Sequence, residues 1–545
     1  MIELSLNDIH KSFGFDPVLK GASFEIYTGE RVGLVGRNGA GKTTLFNLLL
    51  GNEQPDKGTV STRKGASVGY LEQIHQVAAK SPLQPQNRRG VQYVDAGGGE
   101  PGGGTQASQT VSDILKSAFS QVFDLERRLR VLELAMGEEN ADMDKLFSEY
   151  TKLQDKFSAL DGYAIDENYS RIVRGFKLEP LLEADFATLS GGEKTIVKLA
   201  SILLKNPDIL LLDEPTNHFD LNMLEWLEVF LAKYQGTVLM ISHDRHFLDK
   251  TSTKTILVER GVCDVYSGNY SFHLEEKERR LIQEFNEYKT QERKIEAIKA
   301  AIKRYRQWGH EGDNEKFFIK AKELEKRLAK MEILTNPKAK ERKLTLNFNV
   351  DRGSNDVLRI ADMSFSYGER KLFDGFTMNL YYGEKLCLEG ANGAGKSTLF
   401  KLVLGDIAPQ LGSVTLGHSV NLGYIPQEIT FAKDKASVLD TFREEMVCSE
   451  DEARNILAKY YFVGDSVYKR VSALSGGEKV LLKLALLMQK NINLLMLDEP
   501  TNHIDIASRE ILEDALLEFR GTLLFISHDR YFIEKLAERR IEIGG

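Results

Sequence analysis

Gly36-Arg37-Asn38-Gly39-Ala40-Gly41-Lys42-Thr43 returns 354 residues later as Gly390-Ala391-Asn392-Gly393-Ala394-Gly395-Lys396-Ser397. Both have the form G-x-x-x-x-G-K-[ST]. Glycines at these places let successive backbone N–H groups converge on phosphate oxygens, and the lysine adds a point charge. Three more segments recur, each 285 residues on. Leu189-Ser190-Gly191-Gly192-Glu193-Lys194 becomes Leu474-Ser475-Gly476-Gly477-Glu478-Lys479. Asp213-Glu214-Pro215-Thr216-Asn217-His218 becomes Asp498-Glu499-Pro500-Thr501-Asn502-His503. Ser242-His243-Asp244 becomes Ser527-His528-Asp529. Gln73 and Gln427 still keep the longer spacing, so one extra stretch of 69 residues lies in the first copy between Gln73 and Ser190. A repeat this large sets the architecture: two copies of one domain, closing around a shared ligand.

Each glycine-rich loop follows an apolar run (Arg31 to Val35 in the first copy) and precedes a helical pattern (Lys42 to Leu50). The run Ile209-Leu210-Leu211-Leu212 ends in acids and suits a parallel strand buried on both faces. Strands alternating with helices predict an α/β fold with two P-loop domains in tandem. The first domain is expected over 1–260 and the second over 346–545, joined by a helical hairpin over 261–345.

Two segments break this pattern. Residues 78–110 contain Gly97-Gly98-Gly99-Glu100-Pro101-Gly102-Gly103-Gly104 among Gln, Pro and Ser. Such composition buries too little apolar surface to offset ordering entropy, so a disordered loop is expected, or else a partner-binding tail. Over 111–165, Leu115, Phe119, Val122, Leu129 and Leu132, then Leu146, Tyr150, Leu153, Phe157 and Leu160, fall at helical spacing. They predict an antiparallel helical arm turning near Gly137.

In the joining segment Ile295, Ile298, Ile302, Tyr305 and Trp308 step by three or four, as do Phe317, Ala321, Leu324, Leu328 and Met331. Gly309 to Asn314 read as the turn of a hairpin with an apolar seam. From Lys289 to Lys343 there are 17 Lys and Arg against 9 Asp and Glu, in a chain whose net charge is −8. A basic hairpin on an acidic body suits contact with a phosphate backbone, although a solvated coiled-coil face also carries such charge. Arg304, Tyr305, Arg306 and Trp308 before the turn, with Lys316, Phe317 and Lys320 after it, are the candidate RNA contacts.

The bulk composition, 28% charged and 42% hydrophobic, is that of a globular protein. Cys263, Cys387 and Cys448 are far apart and make no metal or redox spacing, which fits a reduced cytoplasmic protein. No apolar run approaches the ~18 residues of a spanning helix, and Met1 to Leu4 do not begin as a signal peptide. Asn168 and Asn269 match the glycosylation pattern by chance in such a protein.

The chemistry of the repeats is that of a nucleoside triphosphatase. Lys42 and Lys396 would meet the β- and γ-phosphates of ATP, and Thr43 and Ser397 would offer hydroxyls to Mg²⁺. The cradle would comprise Gly36, Asn38, Gly39, Gly41 and Thr44 in one copy, and Gly390, Asn392, Gly393, Gly395 and Thr398 in the other. Asp213 and Asp498, at strand ends, are placed to hold Mg²⁺ and its waters. Glu214 and Glu499 can orient and polarise the attacking water, and His243 and His528 can bond the γ-phosphate. His246 lies at helical spacing from His243, but the equivalent residue is Tyr531, so a shared metal pair is not expected. Ser190-Gly191-Gly192 and Ser475-Gly476-Gly477 look like capped helix starts, a second anion cradle per copy. A second cradle makes sense if it reaches the nucleotide of the other copy.

Together these residues resemble the ATP-binding cassette (ABC) ATPases, and the tandem cassettes with a basic linker hairpin resemble the ABC-F family. The resemblance covers nearly the whole chain outside 78–110. It implies a soluble, monomeric ATPase whose two cassettes close as an intramolecular dimer and whose linker binds the ribosome near the tRNA exit site. Partners would be rRNA and tRNA, and the function translation control or protection from ribosome-targeting antibiotics. With a short turn and no long apolar tip, general rescue or mild protection is expected. By motif, Phe13 and Tyr367 would stack on adenine, Gln73 and Gln427 would contact Mg²⁺ and water, and Asp220 and Asp505 would lie at the cassette interface. Lys42 and Thr43 would share one site with Ser475 and Gly477, and Lys396 and Ser397 the other with Ser190 and Gly192. The signatures carry Glu193 and Glu478 where many transporter cassettes have Gln. No C-terminal extension is expected beyond Gly545. The competing reading is a fused ATPase subunit of a transporter, which would need a membrane partner.

Overall fold

The computed structural model describes all residues except 73–91, 95–108, 138–141, 161, 217–218, 313–314, 332–333, 335–354, 369, 392, 503 and 545. The chain forms two compact units, Met1–Tyr270 with Leu346–Gly545, and Ser271–Thr345.

The larger unit holds both cassettes, each built on a small antiparallel sheet and a larger core sheet. In the first, Ile2–Phe13 pairs with Asp16–Tyr27 and with Lys57–Thr62. Its core sheet runs Val262–Tyr266, Lys254–Glu259, Arg31–Gly36, Thr237–Ile241, Ile209–Asp213, Ser67–Leu71, Gln92–Val94. The second repeats the plan, with Asp356–Tyr367 between Arg370–Tyr381 and Leu411–Leu416. Its core sheet is ordered Leu422–Ile425, Leu494–Asp498, Thr522–Ile526, Lys385–Glu389, Arg539–Glu542, with every neighbouring pair parallel. The central strands Ile209–Asp213, Thr237–Ile241, Leu494–Asp498 and Thr522–Ile526 are buried at every position. That is why they read as unbroken apolar runs rather than alternating ones.

Helices cover these sheets. Lys42–Leu50 buries Leu45, Phe46, Leu48, Leu49 and Leu50 against the first core sheet, and Gly51 ends it in the left-handed region. Gly191–Leu204 packs on the other face with Val197, Leu199, Ala200 and Ile202. Gly175, the last residue of Ile165–Gly175, sits against the indole of Trp226 on Leu221–Ala232, where any Cβ would overlap the ring.

Several expectations need correction. Within 78–110, Gln92–Val94 is a strand, paired in parallel with Ser67–Leu71. The open edge of the core sheet supplies hydrogen-bond partners that composition cannot reveal; the glycine run lies outside the described residues. The segment 111–165 is not one helix pair. Val111–Ser117 is a separate helix, started by a capping box at Thr110, and Leu115 and Phe119 belong to the cassette core. The arm proper is Ser120–Met136 against Met143–Ala159, seamed by Val122, Leu129 and Phe157. Finally, 261 is too early for the linker, because Val262–Tyr266 is a strand of the first cassette.

The smaller unit is helical. Tyr270–Gly312 enters it, and Glu315–Ala329 follows. The helix therefore runs through Gly309 and His310, which the sequence assigns to the turn. Gly309 is buried there because Phe318 lies over it; a Cβ would come 2.7 Å from the Phe318 ring. Close helix packing, rather than a turn, is what this glycine serves.

Gly175→Ala is expected to lower the melting temperature through overpacking against Trp226, costing ~1–3 kcal/mol. Thermal unfolding checks it; an unchanged Tm would show that the indole moves aside freely.

Candidate active site

One cavity of about 1090 Å³ opens between the cassettes and is lined by residues of both. Lys42, Thr43, Thr44, Asn38, Gly39 and Gly41 line it from the first cassette, and Gly393, Gly395, Lys396, Ser397 and Thr398 from the second. Gly36 and Gly390 shape the loops but do not line it. Gly41 and Gly395 each have φ 104°, which L side chains rarely adopt. This turn aims the start of the following helix at the cavity. Phe13 and Tyr367 stand at its rim, 49% and 50% exposed, with Lys11 over the Phe13 ring and Phe365 packed edge-on against Tyr367.

The acids sit where the buried strands end. Asp213 and Asp498 are nearly inaccessible, as are Glu214 and Glu499 beside them. Both glutamates have left-handed backbone, φ 52° and φ 48°. Their N–H groups donate to the carbonyls of Ile241 (2.9 Å) and Ile526 (3.0 Å), which holds the strained turn. Glu214 Oε1 lies 3.4 Å from His243 Nε2, and Glu499 Oε1 lies 3.2 Å from His528 Nε2. The second carboxylate oxygen of each accepts the histidine's own backbone N–H at 3.3 Å.

Burial dominates the electrostatics. It raises the Glu214 carboxyl strongly, reinforced by Asp213, and lifts Glu499 to about 7 and Asp213 to about 6. Burial also lowers the Lys42 and Lys396 ammoniums. His528 falls to about 4 through burial and the neighbouring Lys396, so it is neutral at physiological pH. Lys42 Nζ donates to the carbonyls of Gly36 (2.6 Å) and Arg37 (3.2 Å), and Lys396 repeats this with Gly390 (2.7 Å) and Ala391 (3.2 Å).

The donor set fits Mg²⁺. Thr43 and Asp213 in one cassette, and Ser397 and Asp498 in the other, line the cavity with hard oxygen donors. Ser397 Oγ donates to Asp498 Oδ1 at 3.5 Å. Glu214 Oε1 and Glu499 Oε1 are buried without a hydrogen-bond donor among the described residues, as expected where water and a phosphate complete the site. Mg²⁺ usually keeps several waters and takes one or two protein groups beside substrate phosphates. Gln427 lines the cavity. Gln73 and Asn392 lie outside the described residues.

The signature segments are elsewhere. Ser190 and Ser475 cap Gly191–Leu204 and Gly476–Met488 with complete capping boxes to Glu193 and Glu478. Glu at this position therefore closes the helix start, and neither segment lines the cavity. Asp505 does cross between cassettes: its Oδ2 accepts the Asn38 N–H at 3.1 Å. Asp220, its counterpart, pairs with Lys177 at 3.2 Å.

Two buried ion pairs between the cassettes were missed at the level of sequence. Arg245 pairs with Glu513, whose side chain is 0% exposed. Arg530 pairs with Glu228 at 3.2 Å and touches His246 Nδ1 at 2.8 Å. Both arginines and both glutamates are related by the 285-residue spacing, so the signal was present in the repeat. His246 is thus an interface residue.

In the nucleotide-free protein, the raised Glu499 carboxyl contributes stability that is complete below its ordinary pKa of 4.5 and lost as pH rises through about 7. Glu499→Gln escapes that loss. Its stability advantage over the wild type is expected to grow between about pH 5 and about pH 8, by up to ~3 kcal/mol. Thermal melts at both pH values check this; an advantage independent of pH would contradict it.

A family model described as ABC transporter matches residues 19–217 and 373–502, and a second with the same description matches 256–348. The energy-dependent translational throttle protein EttA of Escherichia coli K12 is 34% identical over 95% of this chain and 88% of its own. ABC transporter F family member 2 of Arabidopsis thaliana is 35% identical over 99% of this chain and 76% of its own. The putative ATP-binding protein YdiF of Bacillus subtilis is 34% identical over 100% of this chain and 80% of its own. Among solved structures, an archaeal ribosome recycling factor in complex with a ribosomal stalk protein shares the fold. Its TM-score is 0.56, at 18% identity, covering 98% of this chain and 87% of that one. With two cassettes, buried acids at the strand ends and relatives of this kind over its whole length, the chain belongs to the ABC-F family of ATP-hydrolysing tandem-cassette proteins.

Proposed function

We propose that this ATPase is a ribosome-binding switch, cytoplasmic and monomeric, whose linker hairpin touches rRNA and tRNA near the tRNA exit site. Translation is named in the EttA relative. The observation that carries the reading is the end of the hairpin. Tyr305 stacks on Phe317 with centroids 6.1 Å apart, and Trp308 packs edge-on against Phe317 at 5.8 Å. These aromatics stiffen the tip more than they present free faces. Arg304, Arg306, Lys316, Lys320 and Trp308 are exposed around them. Arg306 is paired with Glu325 at 2.6 Å, and Lys320 lies over the Tyr305 ring. A rigid end surrounded by cations suits a phosphate backbone.

In this reading Phe13 and Tyr367 stack on adenine, and Lys42 and Lys396 hold the phosphates. Glu214 and Glu499 polarise the attacking water while His243 and His528 orient it. Mg²⁺, held by Thr43, Asp213, Ser397 and Asp498 with Gln73 and Gln427, would neutralise charge on the transferred phosphoryl group. Each site is completed by the other cassette's signature, Ser475 to Gly477 for the first and Ser190 to Gly192 for the second. One packing relation supports this. A Cβ on Gly477 would lie 2.8 Å from Ser508 Cβ, on the helix capped by Asp505, and Asp505 takes the Asn38 N–H. ATP then favours the closed cassettes, and hydrolysis releases them. The bound factor modulates translation or protects the ribosome from antibiotics; growth with lincosamides, pleuromutilins and macrolides separates the two.

The Glu214→Gln, Glu499→Gln double variant should co-sediment with ribosomes when ATP is present. Reversing Arg304, Lys316 and Lys320 to Glu should weaken binding and reduce its salt dependence by roughly one phosphate contact per cation. Binding indifferent to ATP would overturn the switch, and binding indifferent to the reversals would overturn the hairpin contact.

A further inference from the structure

The two cassettes are not equivalent at one buried position. Arg509, on Ile506–Glu518 just after Asp505, is 6% exposed and holds four oxygen atoms. Its Nη1 donates to Asp529 Oδ2 at 2.5 Å, and its Nη2 to the carbonyls of Thr501 (2.9 Å) and Ile504 (3.5 Å). Those three belong to its own cassette. The fourth does not: Nη1 also donates to the His243 carbonyl of the first cassette at 2.8 Å. The residue 285 positions earlier is Leu224, which is buried and can donate nothing to the His528 carbonyl.

We propose that Arg509 is a positioning residue for the first site alone. It ties the His243 backbone to the second cassette, so that hydrolysis at Glu214 carries a link to cassette closure, beyond the signature contacts common to both sites, that hydrolysis at Glu499 lacks. His243 is gripped from two sides. Its N–H is held by Glu214 Oε2, and its carbonyl by Arg509. With both ends of the residue fixed, the imidazole is held 3.4 Å from Glu214 Oε1. If the cassettes separate, the three bonds within the second cassette can persist, but the bond to His243 cannot. The guanidinium therefore senses closure. Asp529 keeps Arg509 in place from the far side: it also caps Arg530–Leu536, accepting the Phe532 N–H at 3.1 Å. Asp244, next to His243, is half-buried; burial and the nearby Asp529 disfavour its charge, and Arg509 and Arg530 are the cations that counter this. Glu214 feels the Arg509 charge as well.

The inference rests on Glu214 and His243 serving hydrolysis as proposed above. The test uses the full chain with one site silenced at a time. In the Glu499→Gln background, where only the first site turns over, Arg509→Leu is expected to lower kcat roughly tenfold with KM for ATP little changed. In the Glu214→Gln background the same change should leave kcat within about twofold. Arg509→Lys, which keeps a donor, should recover part of the loss and covers the case in which the leucine variant does not fold. A second readout needs no turnover. In histidine-labelled, nucleotide-free protein, the ring signal assigned to His243 should move in Arg509→Leu and Arg509→Lys while that of His528 stays. Equal losses in both backgrounds, or an unmoved His243 signal, would reduce Arg509 to a structural strut and overturn the inference. Turnover surviving the double Glu→Gln change would instead sink the assignment of Glu214 and Glu499.

Discussion

Two adjacent carboxylates are kept out of water at the end of a wholly buried strand, next to a lysine whose own charge is disfavoured by the same burial. The other features of the site follow from this arrangement. Removing several charges from water is costly, and the cost is offset only by close partners and well-aimed hydrogen bonds. The chain meets that demand with strained glutamates pinned to Ile241 and Ile526, histidine N–H groups on the carboxylates, and lysines turned back onto their own loop carbonyls.

The cassettes meet through charge as well as through the cavity. Arg245 with Glu513, and Arg530 with Glu228, form a near-symmetric pair of contacts joining the helix after each His motif to the helix after the opposite Asp. Buried ion pairs add little net stability but penalise wrong partners and partial engagement strongly. They define one register in which the halves fit. Apolar packing adds to it, since Ile506 of the second cassette lies against the core of the first. Against this symmetry, Arg509 in place of a second leucine is a departure.

The linker unit shows how one pattern can serve two demands. Its cations face solvent while its aromatics pack on each other. Both kinds of residue are candidate RNA contacts by sequence because they alternate along the chain. In the folded hairpin they separate: the rings pack on one another, and the lysines and arginines are exposed around them.

Much of this protein is legible in its sequence because glycine and charge are rarely tolerated where they occur here. The duplicated P-loops, the acids closing apolar runs and the histidine motifs specify two α/β cassettes, since backbone approach to phosphate and burial of parallel strands leave few residue choices. What sequence could not decide were matters of long-range partnership. The strand at Gln92–Val94 exists because a sheet edge lies open beside it. Gly309 is helical because Phe318 covers it, and Leu115 and Phe119 join the cassette rather than the arm because a core is there to receive them. The ion pairs between cassettes and the grip of Arg509 on His243 join residues hundreds of positions apart. Local periodicity records which face of an element is apolar, but only tertiary packing selects what that face, or a buried charge, will meet.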